Sequence, residues 1–271
     1  MSKIILIDDF PQNNGGSEFV NRTVAEKLSI RQVESRSVIL DPTVKYIVAN
    51  ISTMHPDVVK QLSQHPFYVI LEHDYKFVHS RHPWRYPESI VPRNELINLD
   101  LYKNAKQIFV QTADHLSVFK ANDIEGSFFN LECSIWGEEL DILSQLEKTA
   151  PIVSTRMAIL NSDNWIKGKN QAINFCEING LDYEFVGHPN LHTFYEHLAS
   201  HATLVFLPVA RESCCRLILE ARCLGLNVIT PRNYGAAKES YFRLQGQELI
   251  DFLKEKSIRN IEKLKEILDV D

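Results

Sequence analysis

The 271-residue chain, 44% hydrophobic and 24% charged, has ample material for a packed core in one large or two compact domains, which excludes a disordered chain. Its net charge of -6 provides no global attraction to nucleic acid or anionic lipid, leaving only a local basic patch open. Five scattered cysteines, odd in number and without CxxC spacing, exclude a disulfide framework and a thiolate zinc site.

The first residues, "MSKIILIDDF", hold an apolar run too short for a signal-peptide core, and no later segment approaches the ~20 apolar residues of a membrane helix. A cytoplasmic protein is therefore expected. "KIILI" (3–7) predicts a buried strand, and "SEFVNRTVAEKL" (17–28) predicts a helix behind a glycine pair, with Ser17 as its cap. Strand and helix signals then alternate: "YIVA" (46–49), "PDVVKQL" (56–62), "FYVIL" (67–71), "QIFV" (107–110), "ADHLSVF" (113–119) and "SFFNL" (127–131). After a linker marked by Pro151, the alternation resumes with "MAIL" (157–160), a helix from about Lys169, "YEFV" (183–186), a helix near 191–200, "TLVFL" (203–207), a helix from Ser213 to Cys223 and "NVIT" (227–230). Short apolar runs separated by helices imply parallel sheets covered on both faces. The expected fold class is α/β, with two doubly wound Rossmann-like domains, 1–150 and 151–271, facing each other across a cleft.

In such folds ligands bind beyond the carboxyl ends of the strands, so the loops there carry the candidate chemistry. In "DDFPQNNGGSEF", Gly15 and Gly16 let backbone N–H groups approach an anion or a sugar, or simply make a turn. The acid pair Asp8 and Asp9 also ends first strands in phosphoacceptor receiver domains, but the further aspartate and lysine of that pattern have no counterpart here. His73 follows the strand ending at Leu71, where an imidazole can hydrogen-bond a sugar hydroxyl or a carbonyl oxygen. Beyond it, Lys76, Arg81, Arg85 and Arg93 interleave with Tyr75, Phe77, Trp84 and Tyr86; such a loop either grips phosphates and stacks on rings or anchors itself to its domain. Lys167 and Gly168 precede a helix, where an ammonium can neutralise a phosphate or stand in a surface turn.

The stretch "RESCCRLILEARCLGLNVIT" (211–230) places Glu212 before a helix, Arg216 in its first turn and Glu220 two turns along. Carboxylates so spaced can meet a sugar and a ribose diol at the two ends of one ligand, with Arg216 at the diphosphate, or they can be ordinary amphipathic patterning beside a helix dipole.

This stretch resembles the Glu-x7-Glu element of retaining GT-B glycosyltransferases, glycosyltransferase family four in particular, in a compact form. "GGSEFV" is similar to that family's glycine loop, "LEHD" to its cleft histidine, "KGKNQAI" to its lysine-glycine element, and "GHPNLHTFYEHLASHATLVFLP" to the stretch before its glutamates. The resemblance implies that Lys167 lies near a nucleotide diphosphate, Glu212 at the donor sugar, Glu220 at the ribose, Gly15 and Gly16 at the donor phosphate, and His73 at the transferring sugar. It also implies a nucleotide-sugar donor, retention of configuration, no metal and no cofactor; "DVD" at 269–271 is a chain end rather than a ligand set. Ser162 stands where the family has an arginine, with Arg216 as a candidate replacement, and Ser213, Cys214 and Cys215 stand in place of Gly-Phe-Gly. The implied acceptor is a hydroxyl on a glycan, a lipid-linked sugar or a protein. The alternatives are DNA carrying hydroxymethylated bases and a non-catalytic protein that only binds sugar nucleotides.

Overall fold

The computed structural model describes residues 3–13, 15–232 and 235–270; Asn14 of the glycine loop and Asp271 of "DVD" lie outside them. Two compact units are present, one of Met1–Gly137 with Lys256–Asp271 and the other of Glu138–Glu255.

The first unit is built on six parallel strands: β1 (Ile4–Asp8), β2 (Arg31–Glu34), β3 (Lys45–Val48), β4 (Tyr68–Leu71), β5 (Ile108–Val110) and β6 (Phe128–Asn130). Their order is β2-β1-β3-β4-β5-β6, so the winding reverses between β1 and β3. Every residue of β1 is buried, as a strand covered on both faces requires. Four helices connect these strands: α1 (Gly16–Lys27), α2 (Pro56–Ser63), α3 (Leu99–Asn104) and α4 (Ala113–Ala121). Pro56 opens α2 where its missing N–H costs nothing, and Thr112 caps α4 by accepting from the His115 N–H at 3.0 Å. Ser17 lies inside α1 rather than at its cap, which Gly15 occupies without a side-chain bond.

The second unit opens with α5 (Glu139–Thr149) and is built on β7 (Met157–Leu160), β8 (Tyr183–Val186), β9 (Thr203–Val205) and β10 (Asn227–Ile229). These four strands are parallel in the order β10-β9-β7-β8, so the winding reverses between β7 and β9. Helices α6 (Lys169–Ile178), α7 (Leu191–Ala199) and α8 (Arg216–Cys223) connect them, and α9 (Gly246–Leu268) follows β10. Asn190 caps α7 by accepting from the Thr193 N–H at 3.0 Å. Helix α8 starts three residues later than expected, because Cys215, at φ 66°, holds the cap position in place of Ser213.

The division differs from a boundary at 150. Helix α5 belongs to the second unit, and the carboxyl-terminal part of α9 belongs to the first. There Leu264 and Leu268 are fully buried in one core cluster with Ile4, Leu6, Val24 and Phe109. Pairing and burial, rather than linker composition, decide such a boundary. No helix among the described residues is long and apolar enough to cross a membrane.

Candidate functional site

In the second unit, the crevice between β7 and β9 is the topological switch point, where ligands of open parallel sheets bind. The loops leaving these strands carry Lys167 and Glu212. Lys167 closes a single 3-10 turn (Trp165–Lys167), and its Nζ donates to Glu212 Oε1 at 2.8 Å. Both loops are fixed to one another by the backbone, since the Val209 N–H donates to the Ile166 carbonyl at 2.9 Å. Gly168, at φ 72°, makes this approach possible: a Cβ there would overlap the Leu207 carbonyl oxygen. The Lys167 side chain keeps 36% exposure and that of Glu212 15%. Burial works against the Lys167 charge, but the Glu212 carboxylate outweighs it and holds the ammonium above its ordinary range.

Below this pair lies a buried ionic cluster. Arg216 donates through its Nη2 to Glu139 of α5, and its Nε lies 3.8 Å from Glu220 Oε1, one helical turn along α8. The Arg216 side chain is 8% exposed, and the Tyr195 hydroxyl of α7 is bonded to Glu220. Burial pushes the Glu220 carboxyl up to about 7, against the lowering field of Arg216 and with that of Glu139 reinforcing the rise. One guanidinium thus serves two buried carboxylates, which favours a proton on one of them. Burial also pushes the Cys214 thiol up to about 12 and that of Cys215 well above its ordinary value, which favours the protonated thiol in both.

In the first unit, His73 stands beyond the end of β4, with one residue between. Its Nε2 donates to Asn21 Oδ1 of α1 at 2.8 Å, while Nδ1 accepts from Gln111 Nε2, beyond β5, at 3.4 Å. The same Gln111 amide donates to the Glu72 carbonyl at 2.7 Å, fixing the turn that presents the imidazole. The helix bearing Asn21 is the one that Gly15 and Gly16 open. At this unit's own switch point, Asp9 accepts from the Ser52 N–H at 2.7 Å and the Thr53 N–H at 3.1 Å, and also from Ser35. Burial would raise the Asp9 carboxyl, yet these bonds hold it below its ordinary range. The acid pair therefore pins the loop after β1 to the loop after β3.

The basic and aromatic loop beyond His73 is mostly internal. Lys76 is fully buried and donates to Glu72 Oε1 at 2.5 Å, Tyr102 donates to Glu72 Oε2 at 2.5 Å, and Arg81 donates to Asp74 Oδ2 at 2.7 Å. Burial pushes the Glu72 carboxyl up, while Lys76 and Arg81 outweigh burial at Asp74 and hold it down. Tyr75 and Phe77 are core residues, so Lys76 and Arg81 serve the fold and only Arg85 and Arg93 remain exposed. Four partners escaped the sequence reading: Glu139, Tyr195, Asn21 and Gln111. Each lies on a different element from the residue it positions, so no local spacing marks it.

No protein-family model matches the chain, and no curated protein matches it in sequence. Among solved structures, it is similar to the trehalose-6-phosphate synthase OtsA, with a TM-score of 0.62 at 8% identity over 100% of both chains. It is also similar to HepE of Anabaena in complex with UDP and glucose, with a TM-score of 0.51 at 13% identity over 98% of this chain and 92% of that one. The HepE complex with UDP-glucose gives a TM-score of 0.51 at 13% identity over 98% and 91% of the two chains.

Proposed function

From a chain of GT-B fold, made of two Rossmann-like α/β units, we infer a retaining glycosyltransferase. It moves a sugar from a nucleotide-diphosphate sugar to an acceptor hydroxyl on a glycan, a lipid-linked sugar or a protein. The observation that carries this reading is the Lys167–Glu212 pair at the switch point of the second sheet. HepE, named with UDP-glucose, supports a nucleotide-sugar donor.

Breaking the bond between the anomeric carbon and the diphosphate builds positive charge on the sugar ring and negative charge on the leaving phosphate. A preorganised ammonium in a partly desolvated site stabilises that negative charge most where it develops. Lys167 takes this part, and Glu212 accepts from the hydroxyls of the donor sugar. Glu220 receives the ribose diol. Arg216 enters this reading with its guanidinium already engaged by Glu139 and Glu220, so it orients Glu220; a contact with the diphosphate would require it to exchange Glu139 for the anion. Gly15 and Gly16 approach the donor phosphate, and His73, held as the Nε2–H tautomer, contacts the transferring sugar. No metal takes part in the transfer. A DNA acceptor is the weaker alternative, since Lys76 and Arg81 are committed to internal carboxylates.

The test is thermal unfolding with UDP, GDP, ADP, CMP and dTDP sugars, because a ligand that binds only the folded state raises the midpoint. One nucleotide series is expected to raise it, with the shift lost in Lys167→Met and Glu212→Gln. No shift and no donor turnover with any of the series would remove the proposal. The anomeric configuration of the product, read by NMR, tests retention separately.

A further inference from the structure

The second unit holds another cluster of chemically capable side chains. Glu184 is the second residue of β8, an edge strand; His197 lies in the last turn of α7, and His201 follows that helix just ahead of β9. Helix α7 leads back from the carboxyl end of β8 to the start of β9. The three residues therefore gather toward the amino ends of the strands, whereas Lys167 and Glu212 follow the carboxyl ends of β7 and β9.

Glu184 Oε1 lies 3.3 Å from His197 Nε2, and Glu184 Oε2 lies 3.7 Å from His201 Nε2. One ligand atom from each residue falls within 4.8 Å of the others. His201 is the informative member, because its side chain is 1% exposed and its Nε2 has no hydrogen-bond partner. Its Nδ1 lies 2.9 Å from the His197 carbonyl oxygen, which can only accept, so Nδ1 carries the donated hydrogen. In the neutral ring Nε2 then presents a bare lone pair toward a carboxylate oxygen. A buried acceptor facing an anion is unfavourable until a cation stands between them.

We propose that Glu184, His197 and His201 form a zinc site, with the fourth position open to solvent, that ties edge strand β8 to α7 and to the start of β9. Two imidazoles and one carboxylate suit zinc, whereas magnesium and calcium favour all-oxygen sets. The His201–carbonyl bond supplies the outer partner that fixes the tautomer of a metal-bound imidazole. Tetrahedral zinc with bonds of about 2.0–2.1 Å sets its ligand atoms roughly 3.3 Å apart. His197 and Glu184, at 36% and 38% exposure and 3.3 Å apart in a mutual hydrogen bond, would exchange that bond for the ion as they turn inward over that difference. Arg156, whose Nη1 lies 3.8 Å from Glu184 Oε2 and whose side chain is 59% exposed, is the cation that zinc would displace.

The experiment uses the untagged full chain, stripped with a chelator and titrated with zinc chloride, with bound metal measured after dialysis alongside thermal unfolding. About one zinc per chain is expected, with a raised midpoint, no such effect of magnesium chloride, loss of both in His197→Ala and at least about tenfold weaker binding in Glu184→Gln. His197 is half-exposed, so its variant folds even where one at His201 fails. No stoichiometric zinc would overturn the proposal. Zinc held equally by both variants would overturn it too, placing the ion elsewhere.

Discussion

Lys167 and Glu220 carry opposite electrostatic histories, and their variants separate accordingly. The Lys167 ammonium is held above its ordinary range, so it stays charged through neutral pH and into alkaline solution. Lys167→Met is expected to weaken donor binding roughly 10- to 100-fold, the loss of one charge-assisted hydrogen bond. Its stability should change by no more than about 1 kcal/mol, since the pair is partly solvated; calorimetric titration and urea unfolding read the two effects. Glu220 has a folded value near 7 against an ordinary 4.5. A raised carboxyl stabilises the fold fully below the unfolded value, and that contribution declines as pH climbs through the folded one. The parent should therefore lose stability relative to Glu220→Gln between about pH 5 and 8, as urea midpoints across that range will show. Identical profiles for the two would mean that the proton resides elsewhere in the cluster.

At the scale of elements, the turn before α6 is the most exacting piece of backbone in the site. Gly168 combines a left-handed φ with contact against the Leu207 carbonyl, so Gly168→Ala must move one loop off the other. It is expected to cost at least about 2 kcal/mol in denaturant unfolding, and to reduce donor affinity because Lys167 moves with the turn. Retained affinity with lowered stability would show that the lysine finds its place independently of this crossing. The helix that follows Glu212 has its own exacting position, Cys215 at φ 66°. A left-handed backbone is one that glycine adopts freely and a cysteine rarely does, so Cys215→Gly is tolerated there without strain.

For the whole molecule, the chain passes between its units twice, and the second passage lies within α9. Residues of its far end complete the first unit: the Asn260 amide donates to the carbonyls of Leu131 at 2.9 Å and Ser134 at 3.0 Å, and Leu264 is fully buried among strand residues. Leu264→Ala is expected to destabilise the first unit by about 2–5 kcal/mol. The tryptophans report this by fluorescence, because Trp84 and Trp136 lie in that unit and Trp165 in the other.

The strands that the sequence revealed are those with apolar runs: β1, β4 and β5 are buried along their whole length, and β6, β8 and β10, though partly buried edge strands, each keep at least two apolar residues. Edge strand β2, reading "RQVE", has too little apolar content to show itself. Lys167, Glu212 and His73 stand out in the sequence because they lie in loops after strands, where packing does not dictate residue type; the structure places them in those loops, and a donor role for them is the proposal. The sequence by itself determined the alternation of strand and helix and the loops in which a donor site would lie. Only the tertiary structure decided that Lys76 and Arg81 are internal counter-ions, that Arg216 belongs to Glu139 as much as to Glu220, and that His201 faces Glu184. The physical reason is common to all three: a charge in a low-dielectric interior is defined by its nearest partner, and that partner comes from another element brought there by the sheet order.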